Sequence, residues 1–265
     1  MSLFIVILLG IVVGLVMGLT GAGGGMLAVP SLVYTQGWTM QQAMPVALLA
    51  VSGGALIGAI NGLRQKQVRY KAAILMACMG APMTSWGVQT AQQMSQKSLM
   101  LSFAGVLCIV AGRLLYQSFI AGFEAVKQDA VAKVNHATGR FDWNAKTALV
   151  IAAIGAFAGF VTGLLGVGGG FVIVPMLRHF SNLTMQASVS TSLMVIALVG
   201  SSAVVSAVSH GASLPMPFSL FFLATSVLGV LIGMRVMRYF SAKTVQALFA
   251  GLLIMVALSF VFKAM

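Results

Sequence analysis

Eight long, nearly uncharged apolar runs leave this chain one solvent in which to fold. With soft edges they cover 3–20, 44–62, 72–90, 98–118, 146–165, 188–208, 217–236 and 244–262. A helix of about 20 mostly apolar residues spans the hydrocarbon core of a bilayer. A water-soluble domain is excluded. Hydrophobic residues make up 60% of the chain and charged ones 7%, against roughly 45–50% and 25% in ordinary soluble domains. That is too little charge to cover a surface. Abundant Leu, Ile, Val and Phe exclude disorder, and two cysteines cannot staple a scaffold. Cys78 and Cys108 fall inside apolar runs and read as buried, inert thiols. No basic stretch precedes the first run, which therefore reads as a retained span rather than a cleaved signal. The fold class is an all-α polytopic membrane protein.

Two shorter apolar pieces, 26–36 and 171–180, follow the first and fifth runs. Each comes after a glycine cluster and carries a proline, Pro30 or Pro175. Residues 119–145 form the only extended polar stretch. They hold the three acids of the chain, Glu124, Asp129 and Asp142, and read as a cytoplasmic linker with a short interfacial helix. On either side the chain repeats itself. Residues 18–30, GLTGAGGGMLAVP, match 163–175, GLLGVGGGFVIVP, at eight of thirteen positions. At the same offset Thr39-Met40-Gln41 matches Thr184-Met185-Gln186. With one residue inserted, Phe103-Ala104-Gly105 matches Phe249-Ala250-Gly251. The organisation is a first transmembrane repeat over 1–118, the linker over 119–145, and a second repeat over 146–265.

Cationic residues settle the relative orientation, because they concentrate in cytoplasmic loops. If only the eight long runs cross, the 15 Lys and Arg divide ten to five. If the two short pieces also count as crossings, they divide thirteen to two, with only Lys97 and Lys263 outside. The second count predicts two inverted repeats of about five segments, four long helices plus one short broken or re-entrant piece, with both termini outside. The net charge of +12 then reflects contact with anionic lipid headgroups rather than nucleic acid.

The glycine clusters are the candidate site. Gly21, Gly23, Gly24 and Gly25, and Gly166, Gly168, Gly169 and Gly170, interrupt apolar segments. Non-helical backbone at membrane depth survives only where it is buried in protein or lines a cavity. Glycine permits positive φ and close approach of a ligand. Helix ends offer free N–H groups and partial positive charge, which favour an anion. In an inverted repeat such breaks meet near the midplane, where carriers bind substrate. Thr20, Ser52, Asn61, Thr162, Ser190, Thr191 and Ser192 add hydrogen-bonding groups near the breaks, with Ser188 beside them. Pro30 and Pro175 close the motif. No acid sits in an apolar run, which counts against cation transport. No metal-ligand spacing or nucleophile–base–acid set is visible, so neither an enzyme nor a cofactor is expected. His210 reads as a loop residue. Small-residue helix packing remains the competing account of the glycines.

The duplicated G-x-x-G-x-G-G-G-x-x-x-x-P block, in a chain of eight to ten segments with a central polar linker, resembles the TauE/SafE family of sulfite and organosulfonate exporters. The resemblance implies a secondary carrier in the cytoplasmic, or inner, membrane. It implies a small sulfur oxyanion as cargo, such as sulfite, thiosulfate or sulfoacetate, and lipids as the surrounding partner. Homo-oligomerisation, direction and coupling ion are left open. An anion channel with a glycine-lined constriction is the alternative, followed by an assembly subunit or an enzyme.

Overall fold

Every apolar run becomes a helix. The computed structural model describes residues 3–21, 24–116, 132, 134–135, 140–212, 214–236 and 242–264. Among them the first half contains α1 (Leu3–Thr20), α2 (Gly25–Thr35), α3 (Met40–Arg64), α4 (Tyr70–Gln93) and α5 (Gln96–Tyr116). The second contains α6 (Ala145–Leu165), α7 (Gly170–Phe180), α8 (Met185–Ser209), α9 (Met216–Val236) and α10 (Ala242–Ala264). Six stretches are long and apolar enough to cross a membrane: α3, α5, α6, α8, α9 and Val245–Lys263 of α10. The other two expected runs, α1 and α4, are also helical. α1 is apolar along its 18 residues, and α4 carries Thr84, Ser85, Gln89, Thr90, Gln92 and Gln93 in its second half. Both are packed along much of their length against other helices.

The described part of the linker is not helical. An antiparallel pair, β1 (Val134–Asn135) and β2 (Arg140–Phe141), forms a short ladder. The Ala132 N–H donates to the Phe180 carbonyl at 2.9 Å, tying the linker to the end of α7. The interfacial helix expected around Glu124 and Asp129 lies outside the described residues.

Matching sequence blocks perform matching local tasks. Thr39 caps α3: its hydroxyl accepts from the Gln42 N–H at 3.3 Å, and the Gln42 side chain accepts from the Thr39 N–H at 3.1 Å. Thr184 caps α8 by accepting from the Ala187 N–H at 3.3 Å. Alanine at 187 removes the reciprocal half of the capping box.

Helix directions show how the halves are related. Gly58 packs on Leu193, Gly62 on Ser190 and Gly200 on Ser52, so α3 and α8 run antiparallel. Gly10 meets Thr225, Gly14 meets Ser226, and Gly18 meets Gly233, so α1 and α9 run parallel. The equivalent pair, α4 and α6, is also parallel: Met76 meets Gly155, Gly80 meets Gly159 and Thr84 meets Gly163. Exchanging the halves maps one parallel pair onto the other and pairs α3 with α8. Because α3 and α8 oppose one another, the twofold axis crosses the bundle, and the repeats are inverted.

Three helix junctions, α2–α3, α4–α5 and α8–α9, share one face, here the terminal face. Trp38 stacks edge-on against Phe218 at 5.0 Å, and the Met40 N–H donates to Gln96 Oε1 at 2.9 Å. The α4 and α8 C-termini meet there through Gln89 and His210, 3.2 Å apart. The opposite, linker face holds the junctions around Gln67–Ser190 and Arg69–Thr191. Arg64, Lys66, Arg69, Lys71, Arg113, Lys146, Arg178 and Arg235 lie toward the linker face, whereas Lys97 and Lys263 lie toward the terminal face. Lys127, Lys133 and Arg238 lie outside the described residues.

The helix seams use small residues. A methyl group at Gly14, Gly18 or Gly229 would overlap a carbonyl of the facing helix, and the same holds for Gly155, Gly159 and Gly163. Thr84 Oγ1 donates to the Gly159 carbonyl across the α4–α6 seam at 2.9 Å. In lipid, where hydrophobic burial between helices is weak, this close approach supplies van der Waals contact. Cys78 and Cys108 are exposed rather than buried. An apolar run in a bilayer also presents an apolar outer side, so hydropathy does not imply burial.

Candidate functional site

Each break begins where a glycine ends a helix in the left-handed region. Gly21 has φ +75° and Gly166 has φ +72°. The Gly21 N–H still reaches the Met17 carbonyl at 2.8 Å, and the Gly166 N–H reaches that of Thr162 at 2.9 Å. The chain then folds back along the helix it has left. Gly24 rests against Val13 and Met17, and Gly169 against Ala158 and Thr162. From there α2 returns to the terminal face and α7 to the linker face. The two halves differ at this point: Gly169 is left-handed at φ +65°, but Gly24 is right-handed at φ −59°. Close contact, not backbone conformation, therefore requires glycine at 24.

The breaks touch. Gly25, at the head of α2, lies directly on the Val167 carbonyl of the second break. The crossing helices enclose them, with Gly21 against Val189, Gly166 against Met44, and Gly168 between Val51 and Ile196. Gly23 lies outside the described residues.

A cavity of about 740 Å³ runs from these breaks to the linker face. Its walls come from the linker-side halves of α1, α3, α5, α8 and α9, the first turns of α10, and α7. The polar lining includes Thr20, Asn61, Gln65, Gln67, Ser190 and Gln246, with Arg113 and Arg178 as its cations. Among the described residues no carboxylate lines it. Phe157, Phe171, Phe249 and several valines make the remainder apolar.

Of the residues singled out in the sequence, Thr20, Gly21, Asn61, Gly170, Pro175 and Ser190 line this cavity. Their groups are partly engaged: Thr20 Oγ1 donates to the Val16 carbonyl at 2.8 Å, Ser190 Oγ donates to Gln67 Oε1 at 3.1 Å, and Asn61 Oδ1 accepts from Gln65 Nε2 at 3.2 Å. Gly24, Gly25, Gly166, Gly168 and Gly169 shape the breaks behind the cavity and are not in its lining. Pro30 is buried within α2. Ser52 packs on Gly200 and donates to the Leu49 carbonyl at 3.1 Å, while Thr162 donates to the Ala158 carbonyl at 2.7 Å. Thr191 accepts the Arg69 N–H at 3.0 Å. Ser192 and Ser188 are buried with hydroxyls that find no partner in the structure. Which of these hydroxyls faces the cavity depends on helix rotation, which sequence order alone does not give.

Gln65, Gln67, Gln186, Gln246, Arg113 and Arg178 are polar lining residues that the sequence reading did not assign to the site. Arg113 and Arg178 sit in the last turns of α5 and α7, where a cation is also favoured by the helix dipole. Their signal was position: each ends a helix that the repeat places beside a break. Nearby, burial pulls the Arg69 guanidinium down from its ordinary value.

The terminal end of the bundle is closed. Phe103 and Phe260 are fully buried, with ring centroids 5.4 Å apart, and Tyr34 stacks on Phe260 at 5.6 Å. Phe249 and Leu114, the repeat equivalents of Phe103 and Phe260, instead line the open cavity.

Comparison with known proteins agrees with this architecture. The family model described as "Sulfite exporter TauE/SafE" matches residues 6–260. The "Probable membrane transporter protein YunE" of Bacillus subtilis (strain 168) is 24% identical, covering 99% of this chain and 98% of the relative. YjnA of the same organism, with the same description, is 26% identical over 97% and 98%. A "Probable membrane transporter protein" of Xylella fastidiosa (strain 9a5c) is 27% identical over 75% and 71%. No solved structure matches the chain.

Proposed function

The chain belongs to the sulfite exporter TauE/SafE family, and from that premise we propose that it is a secondary carrier of small sulfur-containing oxyanions. It is a multi-pass membrane transporter. Sulfite, thiosulfate or a sulfonate such as sulfoacetate is the cargo, moved across the cytoplasmic membrane by alternating access. The linker and the linker face are cytoplasmic, following the positive-inside rule.

One observation carries the reading: the cavity reaches from the breaks toward the linker face, and its described lining is polar through cations, amides and hydroxyls, without a carboxylate. A permanent pore would be open at both ends. Here the aromatic cluster of Tyr34, Phe103 and Phe260 packs the terminal side, while Phe249 and Leu114, the repeat counterparts of Phe103 and Phe260, line the cavity. Exchanging the two arrangements would close the linker face and open the other. At the inner end, the first turns of α2 and α7 leave backbone N–H groups without helical partners, and Met26, Gly170 and Phe171 bring those turns to the cavity wall. An oxyanion there meets donors and the positive ends of two short helices.

The test is flux in proteoliposomes for sulfite, thiosulfate, sulfoacetate, phosphate and Na⁺ side by side. Saturable flux with competition among the sulfur oxyanions is expected. Movement of Na⁺ alone, or unitary currents, would overturn the carrier reading.

A further inference from the structure

The cavity is charged at one end of a molecule whose two halves are otherwise built alike. At the repeat offset, Arg178 corresponds to Val33, and with the single insertion Arg113 corresponds to Ser259. Val33 is buried in the core. The Ser259 hydroxyl is engaged within its own helix, donating to the Val256 carbonyl at 2.8 Å. The cations toward the terminal face occupy other repeat positions: Lys97 lies in the first turn of α5, and Lys263 sits 4.8 Å over the Tyr34 ring. When the halves exchange roles, the cavity facing the terminal side is therefore lined by Val33 and Ser259 where the present one has two guanidiniums.

We infer that Arg113 and Arg178 form a one-sided anion filter that raises the carrier's affinity for its oxyanion from the linker face, with no equivalent pair on the other side. This rests on the transport reading above. A guanidinium carries five N–H donors, so even one already engaged, as that of Arg178 is, offers an oxyanion a charge-assisted hydrogen bond that a serine or valine cannot. At a water-filled mouth the attraction is screened over a Debye length of about 8 Å in physiological salt, so the filter acts by capture at the entrance rather than by tight retention.

A cation in the last turn of a helix on the cytoplasmic side also fits the helix dipole and the positive-inside rule whatever the cargo. The test must therefore read something that a purely topogenic role would not move. Arg113→Gln and Arg178→Gln, singly and together, are assayed for uptake of radiolabelled sulfite and sulfoacetate in inverted and right-side-out membrane vesicles. The KM measured from the linker face should rise about tenfold per arginine, as for loss of one charge-assisted hydrogen bond, while the KM from the terminal face stays near wild type. Raising ionic strength should raise the wild-type linker-face KM and have less effect on the double variant. Arg→Lys variants should fall between. An equal rise from both faces overturns the filter, as does unchanged KM from both with less protein in the membrane.

Lipid phosphates could compete for the same chemistry. Purified wild type and double variant are therefore compared in phosphatidylcholine vesicles with and without phosphatidylglycerol. A KM difference present in both lipids supports the filter; one that appears only with phosphatidylglycerol assigns the arginines to headgroups and overturns it. If wild type moves neither anion, the transport reading falls and the filter with it. If wild type moves both and the KM values stay symmetric, the filter alone falls.

Discussion

Gly169→Ala separates a conformational role for the glycine clusters from a merely space-saving one. Gly169 sits at φ +65° at the head of α7, and an added Cβ would lie 2.5 Å from Thr162 Oγ1 and 2.9 Å from the Ala158 carbonyl oxygen. Holding alanine in the left-handed region costs about 1–2 kcal/mol. Overpacking an already filled site adds about 1–3 kcal/mol, for a total of about 2–5 kcal/mol. At about 2–4 °C per kcal/mol for a chain of this size, the midpoint should fall by roughly 4–20 °C. Gly105→Ala is the control, because nothing lies within 4 Å of its added Cβ. It should be neutral or stabilising by up to about 1 kcal/mol through helix propensity. The assay is the fraction of detergent-solubilised protein that stays monodisperse on size exclusion after heating. Adding Thr162→Ala to Gly169→Ala removes the nearest clash but not the backbone term, so it should restore part of the loss. A Gly169→Ala protein that melts with wild type would refute the reasoning, as would complete rescue by Thr162→Ala.

Ser190→Ala should raise the KM for sulfite by a few fold in proteoliposomes, because Ser190 lines the cavity; Thr162→Val should change it less, since Thr162 is outside that lining and donates to its own helix. Thr84→Val removes the hydrogen bond to Gly159 across the α4–α6 seam and should lower stability by about 1 kcal/mol, read as earlier loss of the monodisperse peak on heating. In a background lacking Cys78 and Cys108, a cysteine at Ala212 should react with an impermeant maleimide added to intact cells, and one at Asn144 should not; the reverse pattern would invert the topology.

Much of this fold can be read from the chain because lipid makes strict demands. A run of apolar residues has no other stable form than a helix, so α3, α5, α6, α8, α9 and α10 appear where hydropathy puts them, within a few residues. The Thr-Met-Gln blocks begin α3 and α8 because a threonine hydroxyl satisfies a first-turn N–H. Charge distribution also anticipates the inverted relation that the antiparallel α3 and α8 display. Helix rotation is what the chain conceals. A soluble helix advertises its buried side by polarity, but a lipid-facing side is as apolar as a buried one. Cys78 and Cys108 therefore looked buried and are exposed, and Thr162 and Ser52 looked like cavity lining and face elsewhere. Arg113 and Arg178 carried the opposite ambiguity, since a cation at the end of a helix fits a membrane boundary as well as a binding site. The Gly10, Gly14 and Gly18 spacing is visible, but nothing in it names α9 as the partner.

That partnership shapes how the protein must be made. The seam of α1 is complete only when Thr225, Ser226, Gly229 and Gly233 arrive, near the end of synthesis. At about 5–20 residues per second, the first helix waits on the order of ten to forty seconds for the surface it fits. During that interval Gly10, Gly14 and Gly18 face lipid or another protein, and the seam formed earlier between α4 and α6 holds the growing chain. A single ancestral repeat would have faced the same gap permanently. Its first and fourth helices could be covered only by another copy inserted upside down, so a gene encoding one half would have needed a product that enters the membrane in both orientations. Fusing two copies fixes one copy in each orientation, and later changes such as arginine on one side and valine on the other can then accumulate independently.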